Sequence, residues 1–189
     1  MPRARLRYSA ITSLDGYVVD ARGSFDWAAP TEALHRLVNE QERSIGTYLY
    51  GRRMYEVMRY WDGPDPADAS GASSEYRQIW QAADKVVYSG TLTAVSSART
   101  TLVRQFDPQA VRQLLDESVS DVSIGGPTLA AEALRAGLVD EVSLYVTPVS
   151  VGGGTPALPR GCRFDLRLRE ERAVGDVVVL GYALGRTAT

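Results

Sequence analysis

Cysteine, histidine and lysine are almost missing from this 189-residue chain. Cys162 is the only cysteine and His35 the only histidine. The sequence therefore excludes an intramolecular disulfide, a Cys/His zinc site and any Cys-His or Ser-His catalytic pair that is not built on His35. Lys85 is the only lysine, and arginine supplies the rest of the 21 basic residues. No metal is expected.

Long apolar runs and runs of basic charge are missing as well. No stretch approaches the ~20 apolar residues that a membrane helix needs, and the N-terminus lacks the apolar segment of a signal peptide. The 21 basic and 23 acidic residues leave a net charge of −2 without a basic tail. We therefore expect a cytoplasmic protein whose partners include neither membrane nor nucleic acid.

Apolar residues are plentiful, at 44%, and they follow two different patterns. In the first two thirds, β-prone segments alternate with helical periodicity, which favours parallel strands covered by helices. In the last third, apolar and polar residues alternate, which is typical of antiparallel strands with one wet face. The sequence predicts one α/β domain over residues 1–189, in three layers, with a mixed, mostly parallel central sheet and antiparallel C-terminal strands.

The same patterns predict where the elements lie. Strands are predicted at 5–12, 17–19, 47–50, 85–88, 99–104, 121–124, 141–146, 163–168 and 177–184. The first helix is predicted from Thr31 to Gly46, because Leu34, Leu37 and Ile45 share a helical spacing. Further helices are predicted after residue 51, over 73–82, from residue 107 and from 127 to about 137, with loops at 20–30 and 62–72.

Three strand ends share one form, a strand followed by a small polar or glycine turn. They are Gly51-Arg52-Arg53, Ser89-Gly90-Thr91 and Gly125-Gly126-Pro127-Thr128. The carboxyl ends of parallel strands meet at one edge of a sheet, where helix N-termini, glycine backbone and arginine suit phosphate. Each of these turns, taken alone, is also a common connection between a strand and a helix. The set predicts a nucleotide site, although the spacing is not that of the Gly-x-Gly-x-x-Gly fingerprint.

An ordered set of short motifs resembles the dihydrofolate-reductase-like superfamily. The closest resemblance is to the reductase domain at the C-terminal end of riboflavin-pathway deaminase-reductases. The motifs keep the order and spacing of that family from about residue 5 to residue 184. They are Ser13-Leu14-Asp15-Gly16, Tyr48-Leu49-Tyr50-Gly51-Arg52, Lys85-Val86-Val87-Tyr88-Ser89, Ser123-Ile124-Gly125-Gly126-Pro127 and the stretch from Thr147 to Gly154.

The resemblance implies a dihydrofolate-reductase-like fold that binds NADPH. Gly125 and Gly126 would meet the pyrophosphate, with Pro127 and Thr128 opening the next helix. Arg52, flanked by Gly51 and Arg53, would lie by the adenosine-side phosphates. The turn Ser89-Gly90-Thr91 would lie near the ribose 2′-phosphate. Ile11 and Val18 would flank the nicotinamide.

The resemblance also implies hydride transfer to a small heterocyclic or imine substrate, which needs a proton donor. Glu32, in the stretch that begins at Trp27, is one candidate, and its alternative role is to favour a helix N-terminus. Asp15 is the other candidate, and its alternative role is to form a turn. Trp27 and His35 are predicted to contact substrate, against the alternatives of a loop anchor and a half-exposed helix residue.

Two departures from the riboflavin reductases concern the substrate. Ile124 stands where those domains usually have a glutamate, and Ser9 where they usually have a lysine. The deaminase motif is absent, so no deamination is expected. The predicted reaction is that of 5-amino-6-(5-phosphoribosylamino)uracil reductase, with dihydrofolate or dihydropterin reduction as the alternative. A non-catalytic nucleotide-binding or dimerising module stays open, and a homodimer is expected from the family.

Overall fold

A computed structural model describes residues 3–66 and 69–185, which fold into a central sheet with helices on both faces. The strands are β1 Leu6–Thr12, β2 Tyr17–Asp20, β3 Ile45–Gly51, β4 Asp84–Tyr88, β5 Thr100–Val103, β6 Asp121–Gly125, β7 Glu141–Val146, β8 Gly154–Pro156, β9 Leu166–Val174 and β10 Val177–Leu184. The α-helices are α1 Glu32–Glu42, α2 Arg52–Met58, α3 Gly71–Ala82, α4 Pro108–Glu117 and α5 Pro127–Arg135. Short 3₁₀ helices cover Asp26–Ala28 and Arg59–Asp62. In the described part of the chain, no helix combines the length and apolar character that a membrane crossing requires.

The main sheet has eight strands in the order β5-β4-β3-β6-β1-β7-β10-β9. The first six run parallel, β10 is antiparallel to β7, and β9 is antiparallel to β10. Strands β2 and β8 form a separate antiparallel pair. The predicted fold class, a three-layer α/β protein with a mostly parallel sheet and antiparallel C-terminal strands, is confirmed.

Side chains of β1 show how the two layers are formed. Leu6 and Tyr8 point to one face and are buried in the core beneath α4 and α5. Ile11 points to the other face and packs in an apolar cluster with Leu34 and Leu37 of α1. Burying a large apolar side chain contributes about 1.5–3 kcal/mol, so both helical layers are held chiefly by this alternation.

Two predicted boundaries are wrong. Helix α1 ends at Glu42 and not at Gly46, and Ile45 is the first residue of β3, where it packs in the buried cluster of Trp80. The last edge strand is Leu166–Val174 and not 163–168. The predicted buried face of that strand is largely exposed at Leu166 and Leu168.

Two further differences concern small elements. The three-residue strand β8 was not predicted, because its sequence Gly-Thr-Pro has no β signal of its own. Helix α3 begins at Gly71, within the predicted loop 62–72, and Ser70 caps it by accepting the N–H of Ser73 at 3.2 Å. Residues 67 and 68 of that loop lie outside the described residues.

Candidate nucleotide-binding and active site

The three predicted phosphate turns lie at the same sheet edge, on three adjacent strands. Strand order places β4, β3 and β6 side by side, and all three are parallel. At their carboxyl ends Gly51 pairs with Tyr88, and Tyr50 pairs with Gly125. The turns that follow therefore emerge next to one another, as the sequence predicts.

The glycine pair after β6 is required by the local backbone and packing. A Cβ on Gly125 would lie 2.7 Å from the ring of Tyr50, so a side chain there would separate β6 from β3. Gly126 has φ +91°, which favours glycine, and its Cβ would lie 3.2 Å from Cβ of Met54. The pair thus makes a tight turn that brings bare backbone to the sheet edge.

Helix α5 begins directly at this turn and presents its N-terminus to the same edge. No side chain caps it, and its first turn holds no acidic residue. Pro127 has no N–H to leave unpaired, and Thr128 is exposed. The first backbone N–H groups and the positive end of the helix dipole are therefore suited to an anion.

Arg52 joins two of the predicted turns. Its Nη1 donates to Oγ1 of Thr91 at 3.2 Å, across the gap between the turns after β3 and β4. Its Nε donates to Oε1 of Glu56 at 2.7 Å, one turn further along α2. Gly51 precedes α2, and Arg53 is exposed with no ion pair to any residue in 3–66 or 69–185.

The hydroxyl of Ser89 is used within its own turn. It is buried and accepts the N–H of Thr91 at 3.3 Å and that of Leu92 at 3.0 Å. The hydroxyl therefore shapes the turn, and Gly90 and Thr91 are the exposed residues of this predicted triplet.

Arg104, which the sequence analysis did not single out, lies against the same turn. Its Nη1 donates to the carbonyl of Leu92 at 2.5 Å and lies 3.4 Å from that of Ser89. The signal available in the sequence was a basic residue at the end of the predicted strand 99–104. With Arg52 and Arg53, it gives this edge three guanidinium groups.

The predicted nicotinamide residues lie on the first two strands. Ile11 is half-buried near the end of β1 and packs against the apolar cluster under α1. Val18 is half-buried in β2. Both are close to the turn Ser13–Gly16, in which Gly16 has φ +84°.

Asp15 ties this turn to the loop between β7 and β8. Its two carboxylate oxygens accept the N–H groups of Val151 at 3.1 Å and Gly152 at 2.7 Å. A hydrogen bond from Ser13 and these backbone bonds hold the pKa of Asp15 well below its usual range. A carboxylate that stays ionised is a poor proton donor, so the geometry supports the turn-forming alternative.

Glu32 lies in the first turn of α1, which Thr31 caps by accepting the N–H of Leu34 at 3.3 Å. Its side chain is exposed, and Oε1 accepts from Nη2 of Arg36 at 2.6 Å. Such an i,i+4 ion pair is typical of a solvated helix face. The pair uses Oε1, so the other carboxylate oxygen of Glu32 stays at the surface.

Trp27 and His35 occupy different surroundings. The indole N–H of Trp27 is buried and has no acceptor among residues 3–66 and 69–185. His35 is half-buried, with its ring centroid 5.8 Å from that of Trp61 and 5.6 Å from that of Tyr76. Desolvation lowers the pKa of His35, and the charge of Glu75 opposes the shift. This favours a packed neutral histidine over a ligand-binding one.

The carboxyl ends of β4, β3 and β6 present the groups that bind a phosphorylated nucleotide. This edge has an uncapped helix N-terminus, the glycine turn that precedes it, an exposed residue at Thr91 and the guanidinium groups of Arg52 and Arg104. The residues present therefore fit the pyrophosphate and adenosine-side phosphates of NADPH. A groove of about 750 Å³ lies elsewhere, at the amino ends of β3 and β4.

The sequence also matches the RibD C-terminal domain family over residues 4–180. The chain belongs to this family. Its members among curated proteins include the riboflavin biosynthesis protein RibD of Mycobacterium tuberculosis, to which the chain is 38% identical over 61 residues. That alignment covers 32% of this chain and 18% of the RibD protein, so the chain matches only a small part of its relative's length.

Solved structures show the same fold for this RibD C-terminal domain. A pyrimidine reductase-like protein from Corynebacterium diphtheriae has a TM-score of 0.67 at 16% identity, covering 97% of this chain and 92% of that one. Dihydrofolate reductase from Enterococcus faecalis, complexed with NADP(H), has a TM-score of 0.60 at 13% identity, covering 95% and 96%. The dihydrofolate-reductase-like fold that the sequence predicted is confirmed.

Proposed function

We propose that this RibD C-terminal domain protein is an NADPH-dependent reductase of a small heterocyclic substrate. The observation that carries the proposal is the uncapped N-terminus of α5 beside the Arg52–Thr91 pair, at the carboxyl edge of a parallel sheet. Membership of the family supports it, as does the NADP(H) complex of the dihydrofolate reductase that shares the fold.

In this proposal each phosphate group has its own residues. The backbone at Gly125 and Gly126 and the first N–H groups of α5 hold the pyrophosphate. Arg52 neutralises an adenosine-side phosphate, and Thr91 donates its hydroxyl there. Arg104 donates to the carbonyl of Leu92 in the turn after β4, and its positive charge would pair with the 2′-phosphate that distinguishes NADPH from NADH.

NADPH, when bound, supplies the hydride, and the chain must supply the position and the proton. Ile11 and Val18 present apolar side chains beside the nicotinamide position and help to exclude water. Of the two predicted carboxylates we take Glu32 as the proton donor, because Arg36 pairs with only one of its oxygens, whereas both oxygens of Asp15 accept backbone N–H groups. The indole N–H of Trp27 is available to orient a substrate acceptor.

The substrate we propose first is a 5-amino-6-(5-phosphoribosylamino)uracil-like pyrimidine, the type of compound on which the riboflavin-pathway reductases act. The alternative is a dihydropterin or dihydrofolate. One feature of the chain favours this alternative: Ile124, where the riboflavin reductases usually have glutamate, is fully buried in the core. That position cannot contribute a polar contact to a phosphosugar.

Turnover tests the proposal directly. Loss of NADPH absorbance is followed with the pyrimidine and with dihydrofolate as separate substrates, and Glu32→Gln is compared with Glu40→Gln, a matched exposed acid on the same helix. We expect Glu32→Gln to lower kcat by about 10²-fold, the scale of general acid catalysis, and Glu40→Gln to leave it unchanged. NADPH binding without oxidation by either class of substrate would favour a non-catalytic module.

We also propose that two copies associate through the uncovered end of the sheet. Leu166, Leu168 and Val178 lie on one face there and are 38%, 50% and 43% exposed. Edge strand β9 carries charges of both signs that can complement themselves about a two-fold axis, at Arg167, Arg169, Glu170, Glu171 and Arg172. Light scattering of the native chain should give twice the mass of one chain. The Leu168→Arg variant should give the mass of a single chain. A native chain that is monomeric would refute the proposal.

A further inference from the structure

A second, polar cavity lies on the α1 face of the sheet, away from the proposed nucleotide edge. Its floor is made by cross-strand rows of β1, β7 and β10. The row nearest the carboxyl edge is apolar and consists of Ile11, Tyr145 and Val179. The next row towards the amino edge is Ser9, Ser143 and Gly181, and the last contains Arg7 and Glu141.

The small middle row creates the hollow. Ser9, Ser143 and Gly181 leave space beneath the end of α1, where Gln41 and Glu42 form the roof and Glu170 of β9 closes one side. A Cβ on Gly181 would lie 3.1 Å from Cβ of Glu170, so glycine widens the floor. The cavity holds about 190 Å³, which is room for roughly six water molecules or a ligand of similar size.

An apolar barrier separates this cavity from the nicotinamide position. Tyr145 donates its hydroxyl to Gln41 at 2.5 Å and packs in the buried cluster with Leu34, Leu37 and Val179. Successive rows along a strand face are about 7 Å apart, so the middle row lies about one row beyond the barrier. The cavity is therefore a site of its own.

The carboxylate of Glu42 is the feature that indicates a ligand. The side chain is only 7% exposed and lines the cavity. The Tyr48 hydroxyl is close enough to lower the pKa of Glu42, but no group in residues 3–66 or 69–185 makes a hydrogen bond of normal geometry to Oε2. A buried acceptor without a partner is rare in folded proteins. The guanidinium of Arg7 also lines the cavity. It pairs with Asp121 at 2.5 Å and lies 3.3 Å from Glu141, and its Nε makes no hydrogen bond within residues 3–66 and 69–185.

The charge of the lining sets the class of ligand. Three carboxylates, of Glu42, Glu141 and Glu170, face two guanidinium groups, of Arg7 and Arg169, which leaves a net charge of −1 when all are ionised. A planar cation with several N–H donors would pair with a carboxylate in two parallel bonds and donate to the two serine hydroxyls.

We propose that this cavity binds a small amidinium- or guanidinium-bearing metabolite, with Glu42 as its carboxylate partner. The site is independent of the nucleotide edge, so cofactor binding and this ligand are separable. It gives the chain a second small-molecule site on the opposite half of the sheet.

Three isosteric probes test the charge class on the native chain: acetamidinium, acetamide and acetate. Amide shifts in ¹H–¹⁵N spectra are followed for Gln41, Ser143 and Gly181 at millimolar concentrations of each. We expect saturable shifts with acetamidinium alone. Equal or larger saturable shifts with acetamide or acetate, or no saturable shift with acetamidinium, would overturn the proposal.

Variants then test the role of Glu42. Glu42→Gln should weaken acetamidinium binding by about tenfold or more, the scale of one charge-assisted hydrogen bond. Glu40→Gln, an exposed acid on the same helix, should leave it unchanged. Arg52→Ala should also leave it unchanged whether or not the chain binds NADPH. Equal affinity in the Glu42→Gln and native chains would contradict the assignment.

Discussion

Replacing Glu42 by glutamine should change how the stability of the protein depends on pH. Burial raises the pKa of Glu42 from its ordinary value of 4.5 to about 7, while the Tyr48 hydroxyl and the Arg7 charge oppose the shift. At about 1.4 kcal/mol for each pKa unit, this corresponds to about 3 kcal/mol of unfolding free energy.

The direction follows from proton binding. The folded chain holds the Glu42 proton more tightly than the unfolded chain, so this stability is fully present below pH 4.5 and is lost as the pH rises through about 7. Glutamine does not titrate. The free energy of unfolding of Glu42→Gln, relative to the native chain, should therefore rise by up to about 3 kcal/mol between about pH 5 and about pH 8.

Urea unfolding of both chains across this pH range measures the difference. The other charged groups that line the cavity with Glu42 are present in both chains, so their own titrations largely cancel; they are Arg7, Glu141, Arg169 and Glu170. Glu40→Gln serves as the control and should track the native chain. A Glu42→Gln difference that stays constant with pH would refute the account of a buried, protonatable carboxyl.

Two further predictions concern the loops around the first strand. Gly154→Ala should lower the free energy of unfolding by more than about 2 kcal/mol in thermal or urea unfolding, because its Cβ would lie 1.9 Å from the carbonyl oxygen of Val19. Gly153→Ala, whose Cβ meets nothing within 4 Å, should change it far less, and equal effects would contradict the close approach of β2 and β8. Asp15→Ala should speed hydrogen exchange at the N–H of Gly152, which the carboxylate accepts at 2.7 Å; unchanged exchange would show that this bond does not hold the loop.

Local patterns in the sequence were enough to predict most of the fold and the adjacency of the three glycine and polar turns. Strand–helix alternation fixes a parallel sheet, and parallel strands bring their carboxyl ends together, so Gly51, Thr91 and Gly125 are adjacent as predicted. Fold class and family could be predicted because these signals are short-range and repeated along the chain.

The features that were missed depend on contacts between distant parts of the chain. Glu42 looks like an ordinary surface acid at the end of a helix, and only the packing of α1 on β10 and β9 buries it. Strand β8 exists because β2 pairs with it across more than a hundred residues. The hydroxyl of Ser89 is used by its own turn, which composition alone does not reveal.

Binding of NADPH tests the central claim most directly. Fluorescence titration of the native chain should show that NADPH binds more tightly than NADH. Arg52→Ala should lower the affinity for NADPH by about tenfold or more, which is the effect of losing one charge-assisted hydrogen bond to phosphate. Arg135→Ala, which removes an arginine paired with Glu132 at the far end of α5, should have no effect. Absence of binding by either nucleotide, or equal affinities in the Arg52→Ala and native chains, would contradict the proposed nucleotide edge.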